Sequence, residues 1–134
     1  MKLQKKLAEM IGKIDKTPQL EMFKVPIKQF IKEKHELVLL CKKIDWDQLE
    51  SSLGIYYSED NGRPGIPIRT IVGIILLRRM FDESDESVLE RWVENPYWQY
   101  FCGEVNFQHE APFERTELIK FRKRIGDEGS EQIL

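Results

Sequence analysis

The sequence predicts an all-α fold, a compact multi-helix bundle around a central apolar helix over residues 67–81. Apolar residues recur every three or four positions in most of the chain, as they do on one face of a helix. Capping residues, prolines and glycines separate these segments. No stretch of useful length alternates with the period of a strand. With 134 residues and 41% hydrophobic content, the chain is long enough to bury one substantial core.

Residues 1–22 are predicted to be an N-terminal helical extension, and residues 23–134 the main domain. In the extension, apolar residues at helical spacing lie opposite lysines: Leu3, Leu7, Met10, Ile11 and Ile14. From Pro26 to Ile44 the pattern predicts one or two helices, with an interruption near residues 32–36. Asp45 is a suitable N-cap for the next helix, whose apolar stripe is formed by Trp46, Leu49, Leu53 and Tyr56.

Residues 58–67, SEDNGRPGIP, contain two glycines and two prolines and are predicted to form a loop. Pro67 suits the first turn of the central helix, which is apolar on most of its circumference. Ser84 is the predicted N-cap of a helix that runs to about residue 94. Asn95 and Pro96 start a short aromatic helix, which Gly103 ends.

Residues 104–115 are predicted to be a loop, with Thr116 as the N-cap of a last clear helix that ends at Gly126. The final residues, GDEGSEQIL, have the pattern of the start of another element. The helix has Leu118, Phe121 and Ile125 on its core face. Its outward face then carries Glu117, Lys120, Lys123 and Arg124.

This last helix is the main candidate for nucleic-acid binding. The net charge of −2 excludes a global positive field, so any contact with DNA must be local. Residues 120–124 contain four basic side chains, the density that phosphate binding requires. With the helix from Ser84, the last helix is predicted to form a helix-turn-helix-like C-terminal part. The residues predicted to face base edges are Arg115, Thr116, Glu117 and Lys120, with Lys123 and Arg124 on phosphates. The alternative is a solvated helix face.

Two further features have a structural and a functional interpretation. Arg63 and Arg69 belong to residues 61–81, which hold four arginines and no acid, and are candidates for DNA contact. Arg63, in NGRPG, suits a minor groove, although such a tetrapeptide is more often only a turn. The aromatic residues between positions 92 and 101 suit base stacking, but their apolar neighbours favour core packing: Trp92, Tyr97, Trp98, Tyr100 and Phe101.

Several function classes lack their usual signals. Cys41 and Cys102 are too few and too distant for a disulfide scaffold, so reduced and buried thiols are expected. Neither His35 nor His109 has a metal-ligand spacing, and no phosphate-binding glycine loop or nucleophile elbow is present. No apolar run approaches the roughly 20 residues of a membrane span, and the N-terminus lacks a signal peptide. We therefore expect a cytoplasmic protein without cofactor or metal in this chain.

The stretch IPIRTIVGIILLRRMFDESDESVLERWVENPYWQYFCGE resembles the N-terminal domain of bacterial insertion-sequence DDE transposases of the IS-five type. The resemblance begins at HELVLLCKKIDW, takes in QHEAPFERTELIKFRKRIG and covers roughly residues 23–134. It implies a DNA-binding and assembly domain that recognises terminal inverted repeats during DNA transposition, as a homodimer or with the full-length transposase. An oligomerisation or inhibitory module is the alternative.

In such transposases a separate core holds three metal-binding carboxylates. No acid of this chain matches that motif, including Asp45, Asp82, Asp85 and Asp127. The resemblance therefore implies that this chain is not itself an enzyme, and that Mg²⁺ would belong to the missing core.

Overall fold

The computed structural model of the chain describes residues 24–56 and 65–133. In those residues it contains a 3₁₀ helix, Ile27–Gln29, and six α-helices: α1 (Glu36–Lys43), α2 (Trp46–Gly54), α3 (Ile68–Met80), α4 (Asp85–Trp92), α5 (Pro96–Phe101) and α6 (Arg115–Ile133). The described residues form no strand, only an isolated antiparallel bridge between Pro26 and Asn106. The all-α prediction is confirmed for them. The predicted N-terminal helix and Arg63 lie outside the described residues.

Helix α3 lies against α2, α4 and α6. Its buried residues occupy nearly every position from Thr70 to Leu77, so it is covered on several sides. Gly73 allows a close approach to the residue that follows α5, since a Cβ there would lie 2.7 Å from Cys102 Sγ. Pro67 is the N-cap of α3, one residue before the first turn in which it was predicted.

The helix starts predicted at Ser84 and Asn95 are confirmed. Ser84 Oγ accepts from the Ser87 N–H at 3.0 Å, and Ser87 Oγ accepts from the Ser84 N–H at 2.9 Å. This reciprocal pair is a capping box, which satisfies two backbone donors that the helix leaves without partners. Asn95 Oδ1 accepts from the N–H groups of Tyr97 and Trp98. Only residues 93–95 therefore separate α4 from α5.

The region from Pro26 to Ile44 is interrupted where the sequence indicated. The 3₁₀ helix ends at Gln29, and α1 begins only at Glu36. His35 caps α1 through its ring, because Nδ1 accepts from the Leu37 N–H at 3.1 Å. The same ring stacks on Tyr97 of α5 at 3.8 Å between centroids, which connects the start of α1 to α5. Asp45 caps α2 as predicted, accepting from the Gln48 N–H.

The aromatic residues of α4 and α5 form part of the core. Trp92 and Phe101 are fully buried and Trp98 nearly so, which confirms core packing for these three side chains. Gln99, also fully buried, donates to the carbonyl oxygens of Trp92 and Gln108 and accepts from the Gln108 N–H at 2.7 Å. These bonds fix part of the irregular segment, residues 102–114, that leads to α6.

Candidate nucleic-acid interface

The candidate interface lies on α6, which begins at Arg115. Phe113, buried two residues earlier, anchors the chain as it enters the helix. Thr116 was predicted as the N-cap, and this is wrong. It lies in the first turn, with its side chain exposed, because the helix already includes Arg115.

The two faces of α6 are divided as the sequence predicted. Leu118, Phe121 and Ile125 are buried, with exposures of 0%, 2% and 2%. The opposite face is solvent-exposed and carries most of the predicted contact residues: Arg115, Thr116, Lys120, Lys123 and Arg124. Glu117 is half-buried at its edge. The apolar stripe thus fixes which side of the helix faces solvent, and that side is mainly cationic.

One acid moderates the positive charge of this face. Glu117 Oε1 lies 3.6 Å from Lys120 Nζ, one turn along the helix. The lysine side chain is 72% exposed, so solvent screens the pair and its contribution to stability is small, at roughly 0–1 kcal/mol. Lys120 therefore remains accessible to an anionic ligand.

An ionic junction joins α6 to the start of α4. Arg122 Nη1 donates to Asp85 Oδ2 at 3.1 Å, and Nη2 donates to Oδ1. Arg78, at the end of α3, places its Nε 2.8 Å from Asp85 Oδ1. One carboxylate therefore connects three helices, and a bidentate arginine fixes geometry as well as charge. This junction constrains the rotation of α6 about its axis.

The pKa values of two acids near this junction are lowered. Hydrogen bonds from Arg122 are the main cause of the lowered pKa of the Asp85 carboxyl, while its partial burial acts in the opposite direction. The pKa of Glu83 is lowered by its hydrogen bond with Ser87 and then by Arg91. Both carboxylates are thus stabilised in their charged forms by contacts within the fold.

A break at Gly126 divides α6 into two parts of opposite charge. Gly126 has φ 63° and ψ −163°, a backbone conformation that favours glycine. Residues 115–124 contain five Lys or Arg and one acid, whereas residues 127–133 contain three acids and no base. The predicted helix end at Gly126 is confirmed as a break, after which a second helical segment follows. The cationic surface belongs to the first part alone.

Arg69 is engaged within the fold. Its guanidinium lies 4.7 Å from the centroid of the Trp46 ring, and Nη2 donates to Cys41 Sγ at 3.2 Å. A Cβ at Gly103 would lie only 3.0 Å from the Arg69 side chain. The structure therefore places Arg69 between α1, α2 and the end of α5, where it is half-buried.

Sequence reasoning missed the junction residues Arg122 and Arg78. The signal for Arg122 was its spacing: it follows Leu118 by four positions and precedes Ile125 by three, which places it beside the core stripe. Its acidic partner, 37 residues earlier, had no such signal. The buried thiols expected at Cys41 and Cys102 are confirmed, and burial raises the pKa of Cys102 to about 12.

The described residues also give two negative findings. Among residues 24–56 and 65–133, no three His, Cys, Asp or Glu side chains lie close enough to hold a metal ion. No helix in the same ranges has the length and apolar character needed to cross a membrane.

Comparison with protein families identifies the domain. Residues 25–124 match the family described as a transposase domain (DUF772). The chain belongs to this family. The match to the transposase domain spans all the described helices up to Arg124, and it ends where the basic part of α6 ends.

One curated relative of this transposase domain comes from Rhizobium meliloti and is described as uncharacterized protein ORF8 in the nfe locus. It is 42% identical over 114 residues, which cover 85% of this chain and 55% of the relative. The chain therefore spans little more than half the length of this relative. No solved structure matches significantly.

Proposed function

We propose that this transposase domain binds double-stranded DNA at the terminal inverted repeats of an insertion sequence, through the outward face of α6. The observation that carries the proposal is the exposed cationic face on a helix whose opposite face is buried and whose orientation is fixed at Asp85. A helix presented in this way fits the major groove, where phosphate contacts supply affinity and base edges supply specificity.

The first two turns of α6 are the part proposed to enter the groove. The side chains there that are suited to base edges are the exposed Arg115, Thr116 and Lys120 and the half-buried Glu117. Lys123 and Arg124, a turn further along, are assigned to phosphates. Helix α4 packs directly against α6, which supports a helix-turn-helix-like pair. The connection between them is longer than in common examples, because α5 and residues 102–114 intervene.

The proposal assigns to this domain recognition and assembly only, with double-stranded DNA and further transposase chains as its partners. Strand cleavage and joining, and the Mg²⁺ that they use, are assigned to another part of a longer protein. The 55% coverage of the curated relative supports this division, since that protein has further sequence. The absence of enzymatic activity in this chain alone stays a prediction.

A paired substitution tests the proposal. Lys120→Ala with Lys123→Ala removes two charges from the α6 face, and Lys42→Ala with Lys43→Ala removes two exposed charges from α1 as the matched control. In fluorescence anisotropy with an inverted-repeat duplex, we expect the α6 variant to lose about tenfold or more in affinity, or roughly 1.4 kcal/mol. Equal losses in both variants would show a general charge effect and contradict the assignment.

A second candidate function is assembly without specific DNA binding. Exposed apolar side chains favour it: Val105 is 74% exposed, Phe30 53% and Ile119, on α6 itself, 42%. Such residues are typical of protein interfaces when they form contiguous patches. Two measurements on a Phe30→Ser variant separate the candidates. Under the second function, sedimentation velocity should show weaker self-association. Under the first, fluorescence anisotropy should show an unchanged affinity for DNA.

A further inference from the structure

One side chain on the solvent side of α6 is apolar. Ile119 is 42% exposed, whereas the other apolar residues of the basic part of the helix are buried: Leu118, Phe121 and Ile125. A single exposed apolar residue is ordinary on a protein surface, so its neighbours decide what it can contact.

The neighbours of Ile119 belong to the cationic face. Successive residues of an α-helix are offset by about 100°, so Ile119 lies between Arg122 on one side and Lys123 on the other. Arg122 is held towards α4 by its two hydrogen bonds with Asp85. Ile119 therefore lies at the edge of the cationic face that is nearer to α4.

The charge of this surface favours DNA over a protein as its occupant. Residues 115–124 contain five Lys or Arg and one acid. Lysine is depleted at the centres of protein–protein interfaces, whereas interfaces with DNA are strongly positive. When cations on a helix meet the phosphates that border the major groove, an apolar side chain among them is brought to the edges of the bases.

The major groove offers such a side chain one apolar feature, the methyl group on C5 of thymine. Ile119 has no hydrogen-bonding group in its side chain, so a methyl group is the part of a base edge that it can contact favourably. Thr116, three residues earlier and exposed, has a methyl group of its own on the adjoining part of the face. The two side chains together can cover one thymine methyl.

We propose that Ile119, with the methyl group of Thr116 beside it, contacts a thymine methyl in the inverted repeat and determines specificity at that base pair. This inference rests on the proposed function, to which it adds a residue that reads sequence without a hydrogen bond. A cytosine at the same position is disfavoured, because its amino group would lose water against an aliphatic side chain.

Replacing the thymines of the inverted-repeat duplex by deoxyuridine, one at a time, tests the inference, because deoxyuridine lacks the C5 methyl group. In fluorescence anisotropy, one of these duplexes should bind the parent chain about fourfold more weakly than the unmodified duplex, as expected for one methyl group removed from an apolar contact. The Ile119→Ala variant should bind that duplex and the unmodified one equally, since alanine is too short to reach the methyl group.

Two control variants make the readout specific. Lys123→Ala should bind every duplex more weakly and keep the fourfold ratio, because it loses a phosphate contact only. Leu39→Ala truncates an apolar side chain of similar exposure, 46%, on α1, and should change neither the affinity nor the ratio. Ile119→Ala should retain the fold, since alanine favours a helix, and circular dichroism checks this.

Two results would overturn this inference alone. In one, the parent chain prefers the repeat to a scrambled duplex, but no deoxyuridine replacement lowers its affinity. In the other, Ile119→Ala keeps the fourfold ratio. Equal affinity of the parent chain for the repeat and the scrambled duplex would instead overturn the proposed function, and the inference with it.

Discussion

Replacing Asp85 by Asn removes the charge on which the junction of α3, α4 and α6 depends. The carboxylate receives two hydrogen bonds from Arg122 and lies 2.8 Å from Arg78 Nε. Its side chain is 21% exposed, and those of Arg122 and Arg78 are 36% and 38% exposed, so solvent screens part of the interaction. We expect a loss of about 1–2 kcal/mol in the free energy of unfolding, or roughly 4–8 °C in Tm.

Glu86→Gln is the matched control, since Glu86 is an exposed acid in the same first turn of α4. Both substitutions remove the favourable interaction of an acid with the helix dipole, about 0.3–1 kcal/mol, but only Asp85→Asn breaks the junction. Thermal unfolding followed by circular dichroism at pH 7 measures the difference between them. Equal Tm values for the two variants would refute the reasoning.

The pH dependence gives a second readout of the same junction. The pKa of Asp85 is lowered in the folded state, mainly by Arg122. The contribution of its charge to the free energy of unfolding is therefore complete above the pKa of the carboxyl in the unfolded chain, about 3.9. This contribution is lost as the pH falls from there through the lower pKa that Asp85 has in the folded state. The gap in Tm between the parent chain and Asp85→Asn should therefore be constant from pH 5 to 7 and close below about pH 4. A gap that persists in acid would contradict the electrostatic origin.

Three further predictions concern DNA and the core. Lys123→Ala should reduce the slope of log affinity against log salt by about 0.9, measured by anisotropy at several salt concentrations, if it contacts one phosphate; an unchanged slope would exclude that contact. Gly73→Ala should destabilise the chain by about 1–2 kcal/mol in urea unfolding, because its Cβ would lie 2.7 Å from Cys102 Sγ, and Cys102→Ala should relieve part of the loss. Gln99→Leu should cost about 1–3 kcal/mol, because the half-buried N–H and carbonyl groups of Gln108 lose their partner, whereas the Trp92 carbonyl oxygen keeps the Asn95 N–H. A loss below about 1 kcal/mol in urea unfolding would contradict this.

Local signals in the sequence were sufficient for much of the fold. Ser84, Asn95 and Asp45 cap helices because each offers a side-chain oxygen to backbone donors two or three residues later. Such contacts depend only on near neighbours, so the sequence shows them directly. Thr116 was misassigned because Glu114 and Arg115 had no recognisable start signal, although the helix includes Arg115.

The candidate site was predictable only in part. The exposed face of α6 follows from the period of its apolar residues, since burial of Leu118 and Phe121 fixes the opposite side. Contacts distant in sequence were not accessible to that reasoning. Arg122 meets Asp85 across 37 positions, and Arg69 meets Cys41 across 28. Tertiary packing therefore decides which arginines face solvent and which stabilise the fold.

The most direct test of DNA recognition compares two duplexes. The purified chain is titrated in fluorescence anisotropy against an inverted-repeat duplex and a scrambled duplex of the same composition, each at two salt concentrations. The proposal predicts tighter binding to the repeat, and weaker binding to both duplexes at higher salt, as phosphate contacts require. Equal affinity for the two duplexes, or no binding to either, would contradict recognition of element ends by α6 and favour assembly as the role of the domain.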